Sequence, residues 1–439
     1  MKIIIAIAVF LFFILVFSGC SEDPVQQPPE ISFFRVINSG TLYALDTLKF
    51  DLVVQSDQPV SSLKMSLKSN EGTVLLSHVW NQENSHEITL YDEAFLLSRK
   101  DLETGTYMLE AYVYAENGTA KDIRDVPLVA LAPEVERVML VCHNNELTTT
   151  IGVLDSDLSF SEMFSLNGDF LDAYADSDDE FLYTVGSMSG NLICTSLKTF
   201  EEVWQYGVDT NPPFPKFRAA LLSEDHIWVS IHPDYILGFD KIGVEKFRAN
   251  LSTERYPESM IIDDNLVVVE EFSKATAKKS LSRWWRVSGA LMESHETFAD
   301  DLILMGFHDN ELYYAEVNDA ISSIYAIDLY YNSRRWLFDY QGVFKMSCRG
   351  SNGTYFLTSG PDLYVYSPDY SVEFRHTFHQ PVESMTYDNL NAILYVIAGN
   401  AVFKYSTAQN IVEKTNTFDA SPDKVVIQYN RNLFTSEMY

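Results

Sequence analysis

At 439 residues, with 46% hydrophobic and 13% aromatic content, the chain is long enough for two or three domains with filled cores. Its 28 Phe and 25 Tyr favour strands, and no stretch carries apolar residues at helical spacing, so the fold class is all-β. Thirty-one basic against 62 acidic residues leave a formal charge of −31, which repels phosphate backbones and anionic headgroups and excludes nucleic-acid binding and a broad membrane-lying face.

Residues 1–19 read as a lipoprotein signal peptide. Lys2 precedes an apolar run from Ile3 to Phe17, too short for a comfortable membrane span but sufficient for a signal core. Ser18-Gly19 then lead into Cys20, which resembles a bacterial lipobox, and the resemblance implies lipidation at Cys20. Lipidation there would give stable anchoring in the membrane. The acidic Glu22-Asp23 behind it resembles the surface-export signal of Bacteroidetes lipoproteins, which implies an outer-membrane anchor on the cell surface rather than the periplasmic face. Residues 20–30, polar and Pro-rich, are the lipidated tether.

Residues 31–130 hold about seven strand-like segments, clearest at Ile31–Ile37, Leu48–Gln55, Ser61–Lys68, Thr73–Val79 and Tyr107–Tyr114. Alternation in Leu48-Lys-Phe-Asp-Leu-Val-Val and Tyr107-Met-Leu-Glu-Ala-Tyr-Val-Tyr, with turns such as Glu116-Asn-Gly118, predicts an N-terminal Ig-like β-sandwich. Leu131-Ala-Pro-Glu134 marks the next boundary.

From residue 131 to 439 the chain repeats. Seven apolar strands end in Asp or Ser: Ile151–Asp155, Leu192–Ser196, Ile236–Asp240, Trp284–Ser288, Ile324–Asp328, Leu363–Ser367 and Val402–Ser406. Their last residues lie 41, 44, 48, 40, 39 and 39 positions apart, the period of one four-stranded blade, so the segment reads as a seven-bladed β-propeller. Polar turns before the second strands (Asp176–Glu180, Asp263-Asp-Asn265, Asp388–Ala392) and outer-strand copies (His295–Phe298, Arg375–Phe378, Thr415–Phe418) keep the same register. Val138–Cys142 aligns with second strands, which leaves blade 1 without an inner strand. Lys424–Tyr429 matches one, so the propeller is expected to be closed by the C-terminal strand, with Leu433–Met438 left over.

The residues offer no reaction. The acidic turns lack the spacing of a calcium loop and are read as turn chemistry; the nine His residues form no zinc motif, so no metal site is expected. Gly186-Ser-Met-Ser-Gly190 has Met188 where a nucleophile would stand. Cys142, Cys194 and Cys348 are expected as buried free thiols, and Trp284 and Trp285 as core. No catalytic residue and no cofactor is assigned. A partner-binding rim is placed on two departures from the repeat: Asp209–Pro215, carrying Phe214, and a long gap Glu270–Arg283 within blade 4, carrying Lys274, Lys278 and Lys279.

The repeat region resembles quinoprotein-like and YncE-like seven-bladed propellers, although the tryptophan-docking signature of quinone-binding blades is missing. With the lipobox and the Ig-like segment, the chain looks like a Bacteroidetes outer-membrane lipoprotein. A similar arrangement is the propeller lipoprotein of the outer-membrane assembly machinery, whose blades lend edges to partner proteins. These resemblances imply an anchored, non-enzymatic binding or scaffold module for a protein or glycan partner. The alternative is a glycan-degrading or lactone-hydrolysing propeller with carboxylates over the central channel.

Overall fold

The computed structural model describes residues 27–37, 42–145, 147–207, 215–223, 226–231, 235–251, 254–263, 265–297, 299–329, 331–367 and 371–433. Cys20, Phe214, Phe298 and all of the surplus segment except Leu433 lie outside them. Every regular element among the described residues is a strand, and the chain divides into two units, Met1–Ala132 and Pro133–Tyr439.

The first unit is one six-stranded sheet: β1 (Glu30–Ile37), β2 (Leu42–Tyr43), β3 (Thr47–Lys68), β4 (Val74–Leu96), β5 (Gly105–Ala115) and β6 (Gly118–Val129). The two predicted strands Leu48–Gln55 and Ser61–Lys68 are halves of the 22-residue β3. Pro59 has no N–H to give the ladder, and the register shifts between Gln55 and Val60, so the strand turns without ending. Its first half pairs with β1, its second half with β5, and β4 follows it along its length. Alternate side chains, among them Leu48, Phe50, Leu52, Val54, Leu63, Met65 and Leu67, are wholly buried in one core with Leu109 and Val113 of β5. Hydrogen-bonded connectivity thus gives a single bent sheet where two short-stranded layers were expected.

The second unit is a seven-bladed β-propeller of four-stranded antiparallel sheets. The inner strands are Pro422–Tyr429 in blade 1, then Asp172–Asp176, Phe217–Ser223, Arg255–Ile262, Asp301–His308, Met346–Arg349 and Val382–Asp388 in blades 2 to 7. Blade 1 takes that inner strand from the C-terminal end of the chain, where Val425, Val426 and Ile427 sit opposite Leu140, Met139 and Val138. Each inner strand touches the next, and that of blade 1 touches those of blades 7 and 2. Second strands such as Leu266–Ser273 run Val267-Val-Val without exposed alternation, because neighbouring blades cover both faces. Tyr183, Val185 and Cys194 of blade 2 accordingly pack with Phe217, Ile227 and Val229 of blade 3.

Blade 4 departs from the sequence reading. Its second and third strands are Leu266–Ser273 and Lys278–Trp285, joined by residues 274–277, so the expected long gap is a hairpin with eight residues a side. The third strand ends at Trp285, where the Trp285 N–H takes the Ala290 carbonyl as Asp240 takes Val244 in blade 3. The repeated position is therefore Trp285 and not Ser288. A terminal Asp or Ser is the mark of the other six copies, and in blade 4 such a residue, Ser288, stands only three positions downstream of the strand end. Trp284 is core at 6% exposure, but Trp285, also expected there, is 46% exposed.

Candidate functional site

Strand register places the starts of the inner strands and the turns joining second to third strands at one end of the propeller. Arg255 opposes Ser273, which opposes Lys278. The Lys274 N–H donates to the Glu254 carbonyl at 2.9 Å, fixing the blade 4 turn beside the channel mouth.

Polar side chains link the blades around that mouth. Lys424 of blade 1 pairs with Asp172 of blade 2, its Nζ 3.9 Å from the Tyr174 ring centre. Tyr174 Oη lies 2.6 Å from the Asp172 carboxylate and 2.7 Å from the Ala220 carbonyl of blade 3. Arg218 of blade 3 donates to Glu258 of blade 4 at 3.1 Å, and Lys279 of blade 4 to Asp301 of blade 5 at 2.5 Å. Ser347 Oγ of blade 6 donates to the Leu304 carbonyl of blade 5 at 2.6 Å, and Thr386 Oγ1 of blade 7 to the Val425 carbonyl of blade 1 at 2.6 Å. At the remaining seam the Cys348 thiol meets the Tyr387 main chain. Three carboxylates of the mouth, Asp172, Glu258 and Asp301, are thus engaged across blade seams by cations, while Asp423 at the start of the blade 1 inner strand meets His143 of its own blade at 2.6 Å.

Lys279, one of the three rim lysines expected from the sequence, is turned inward. Its Nζ meets Glu258 at 3.0 Å as well as Glu270 and Asp301, so its charge is spent on holding blades 4 and 5 together. Lys278 is half-buried on the strand, and Lys274 is exposed at the turn with its Nζ 5.4 Å from the Tyr256 ring, which Arg218 also approaches at 5.2 Å.

Sequence reasoning missed the interior of this blade. Glu270 and Glu271, 4% and 1% exposed, lie inside it. Arg255 Nη1 donates to Glu271 at 3.1 Å, Ser280 at 3.1 Å and Ser294 at 2.8 Å, while Ser259 Oγ lies 2.5 Å from Glu270. Burial pushes both carboxyls above their ordinary range. Lys279 opposes the rise at Glu270, and Ser282 and Arg255 oppose it at Glu271. The signal was present: two Glu inside an otherwise apolar strand, with Lys278-Lys279 returning opposite the next two residues, Ser273 and Phe272.

The acidic turns behave as turn chemistry. Asp263 accepts the N–H groups of Asn265 and Leu266 at 2.7 and 2.6 Å, and Asp155 and Asp240 cap their own turns likewise. Gly186–Gly190 is a backbone cradle for Asp169, whose carboxylate accepts from the N–H groups of Ser187, Met188, Ser189 and Gly190 at 2.6–3.1 Å. A Cβ on Gly190 would lie 2.6 Å from the Asp169 carbonyl, so only glycine lets the loop close. Burial works to raise the Asp169 carboxyl, but these N–H donors more than offset it and hold its pKa low. A lowered folded pKa adds stability above the unfolded value that disappears as pH falls through the folded one. Asp169→Asn is expected to lower the thermal midpoint by about 2–4 °C at pH 7, with the two proteins converging at acid pH; a constant difference across pH would contradict this.

Cys142 and Cys194 are buried, Cys348 is half-buried, and burial pushes all three thiols up to about 12. Among the described residues, no three His, Cys, Asp or Glu side chains group as metal ligands.

Neither a family model nor a curated protein matches the chain. Among solved structures it is similar to a functionally unknown protein from Desulfotomaculum acetoxidans, 9% identical over 67% of this chain and 99% of that one, with a TM-score of 0.51. It is also similar to a quinoprotein alcohol dehydrogenase-like protein from Bacteroides thetaiotaomicron (12% identical, 90% of this chain and 99% of that one, TM-score 0.49). BamB from Moraxella catarrhalis is 12% identical over 65% of this chain and 92% of that one, with a TM-score of 0.41. At these identities the likeness is one of fold alone.

Proposed function

We propose that the protein is a cell-envelope lipoprotein, held in the outer membrane through Cys20 and exposed on the cell surface, that binds or scaffolds a protein or glycan partner. The bent N-terminal sheet is read as an Ig-like module spacing the propeller from its lipid. The C-terminal strand is read as the element that closes the ring. One observation carries the binding reading over the hydrolytic one. Three charged pairs at the channel mouth, Lys424–Asp172, Arg218–Glu258 and Lys279–Asp301, join one blade to the next, so they stiffen a ring rather than stand as a free acid and base. A ring stiffened in this way suits a docking surface.

The test uses the full chain expressed in a Gram-negative host. Wild type is expected to incorporate a clickable fatty acid and to pellet with outer membranes, while Cys20→Ser stays soluble and unlabelled. Affinity purification after surface crosslinking is expected to recover a defined protein or polysaccharide at near-equal stoichiometry. Recovery of none, together with turnover of a glycan or lactone by the purified chain, would overturn the proposal.

A further inference from the structure

A cleft of about 470 Å³ opens along the seam between blades 7 and 1. Cys142 and Thr150 line it together with Phe160 and Glu162 of the outer strand of blade 1, and Phe418 and Asp419 follow the outer strand of blade 7. Its volume falls within the usual range of ligand sites.

The lining has a definite chemistry. Phe160 and Phe418 meet edge to face, 6.4 Å between centroids at 88°, an apolar wall built from both blades. Gly152 makes room for it, since a Cβ there would lie 2.5 Å from the Phe160 ring. Asn416 Nδ2 donates to the Leu158 carbonyl at 2.7 Å and ties the two sides together. Glu162 and Asp419 are both exposed, and among the described residues neither enters an ion pair. The neighbouring Lys404 and Lys414 are taken by Glu413 and Asp157. Beside the cleft, among the described residues, the outer strands Phe160–Asn167 and Ile411–Thr417 each pair on one side only, leaving main-chain N–H and C=O groups along their edges.

We propose that this cleft is a docking site for an extended polypeptide segment of a partner, in which a basic side chain stands next to an apolar one. The apolar residue fills the space against Phe160 and Phe418, and the basic residue meets Glu162 and Asp419. The edges of the flanking strands are what an extended main chain can pair with and a small amine cannot. The overall charge of −31 draws such a segment in, and the paired phenylalanines select among basic segments. This rests on the reading of the propeller as a binding body and adds the seam and the chemistry of the partner.

The probe is a fluorescent, capped hexapeptide alternating lysine and leucine, titrated into the full chain in detergent by anisotropy. Its lysine–serine and glutamate–leucine analogues are run alongside. Glu162→Lys with Asp419→Lys is expected to weaken the lysine–leucine peptide by about tenfold or more. Glu201→Lys with Glu202→Lys, equal in charge but on the exposed outer edge of blade 2, is expected to change it less than about twofold. Should the two pairs weaken it equally, or the lysine–serine peptide bind as tightly, the attraction is that of net charge and the site is overturned. Glu162→Gln with Asp419→Asn serves if the reversed pair lowers the thermal midpoint. A reversed chain that still captures its envelope partner overturns this inference alone and leaves the binding reading standing.

Discussion

Truncation after Ser421 is expected to destroy the propeller as a cooperative unit. The lost segment carries Val425, Val426 and Ile427, 1%, 3% and 9% exposed, whose burial contributes about 1.5–3 kcal/mol each. That sum of about 5–9 kcal/mol is of the order of the whole stability of a domain. The cut also bares the edge of Val135–Asn145 in blade 1, a template for aggregation. Beyond the strand, Asn432 ties the tail to blade 2: its amide donates to Asp176 at 2.9 Å and its carbonyl accepts from the Ser177 N–H at 2.8 Å. The truncated chain should aggregate or melt at least about 10 °C lower, and a peptide spanning residues 421–433 should restore part of the loss in trans. Asn432→Ala should cost about 1–3 kcal/mol. A truncated chain with the wild-type midpoint would sink the ring reading.

Arg255→Leu should cost about 3–5 kcal/mol at neutral pH, because it strands Glu271 as an uncompensated carboxylate inside blade 4. The pH dependence carries a definite sign. Burial already raises the folded pKa of Glu271, and removing the guanidinium raises it further. A carboxyl with a raised folded pKa contributes stability that is fully present below its unfolded pKa and is lost as pH rises through the folded value. The variant should therefore approach wild type in mild acid and fall away toward neutrality. Adding Glu271→Gln should recover much of the neutral-pH loss. Chemical denaturation across pH measures both, and a deficit that ignores pH would mean that packing around Arg255, and not its charge, matters.

The candidate site was legible only in part. The sequence reading puts Lys279 on an open rim, because its partners Glu258 and Asp301 belong to different strands and Asp301 to another blade. Lys424 and Asp172, 252 positions apart, carry no mark of each other in the sequence. The Gly186–Gly190 segment resembles a catalytic loop in sequence only, because the Asp169 carboxylate that it wraps lies 17 positions before its first glycine.

Sequence alone determined the all-β class, the seven blades and the chemistry of the acidic turns. Strand alternation and the Asp or Asn that caps its own turn are local matters, settled within a few residues of chain. Tertiary structure decided the rest: the fusion of two expected strands into β3, the three-residue shift in blade 4, and the seam partners of the channel mouth. Those depend on the register of one sheet against the next, which is set by packing between residues far apart in the chain, and no local pattern records it.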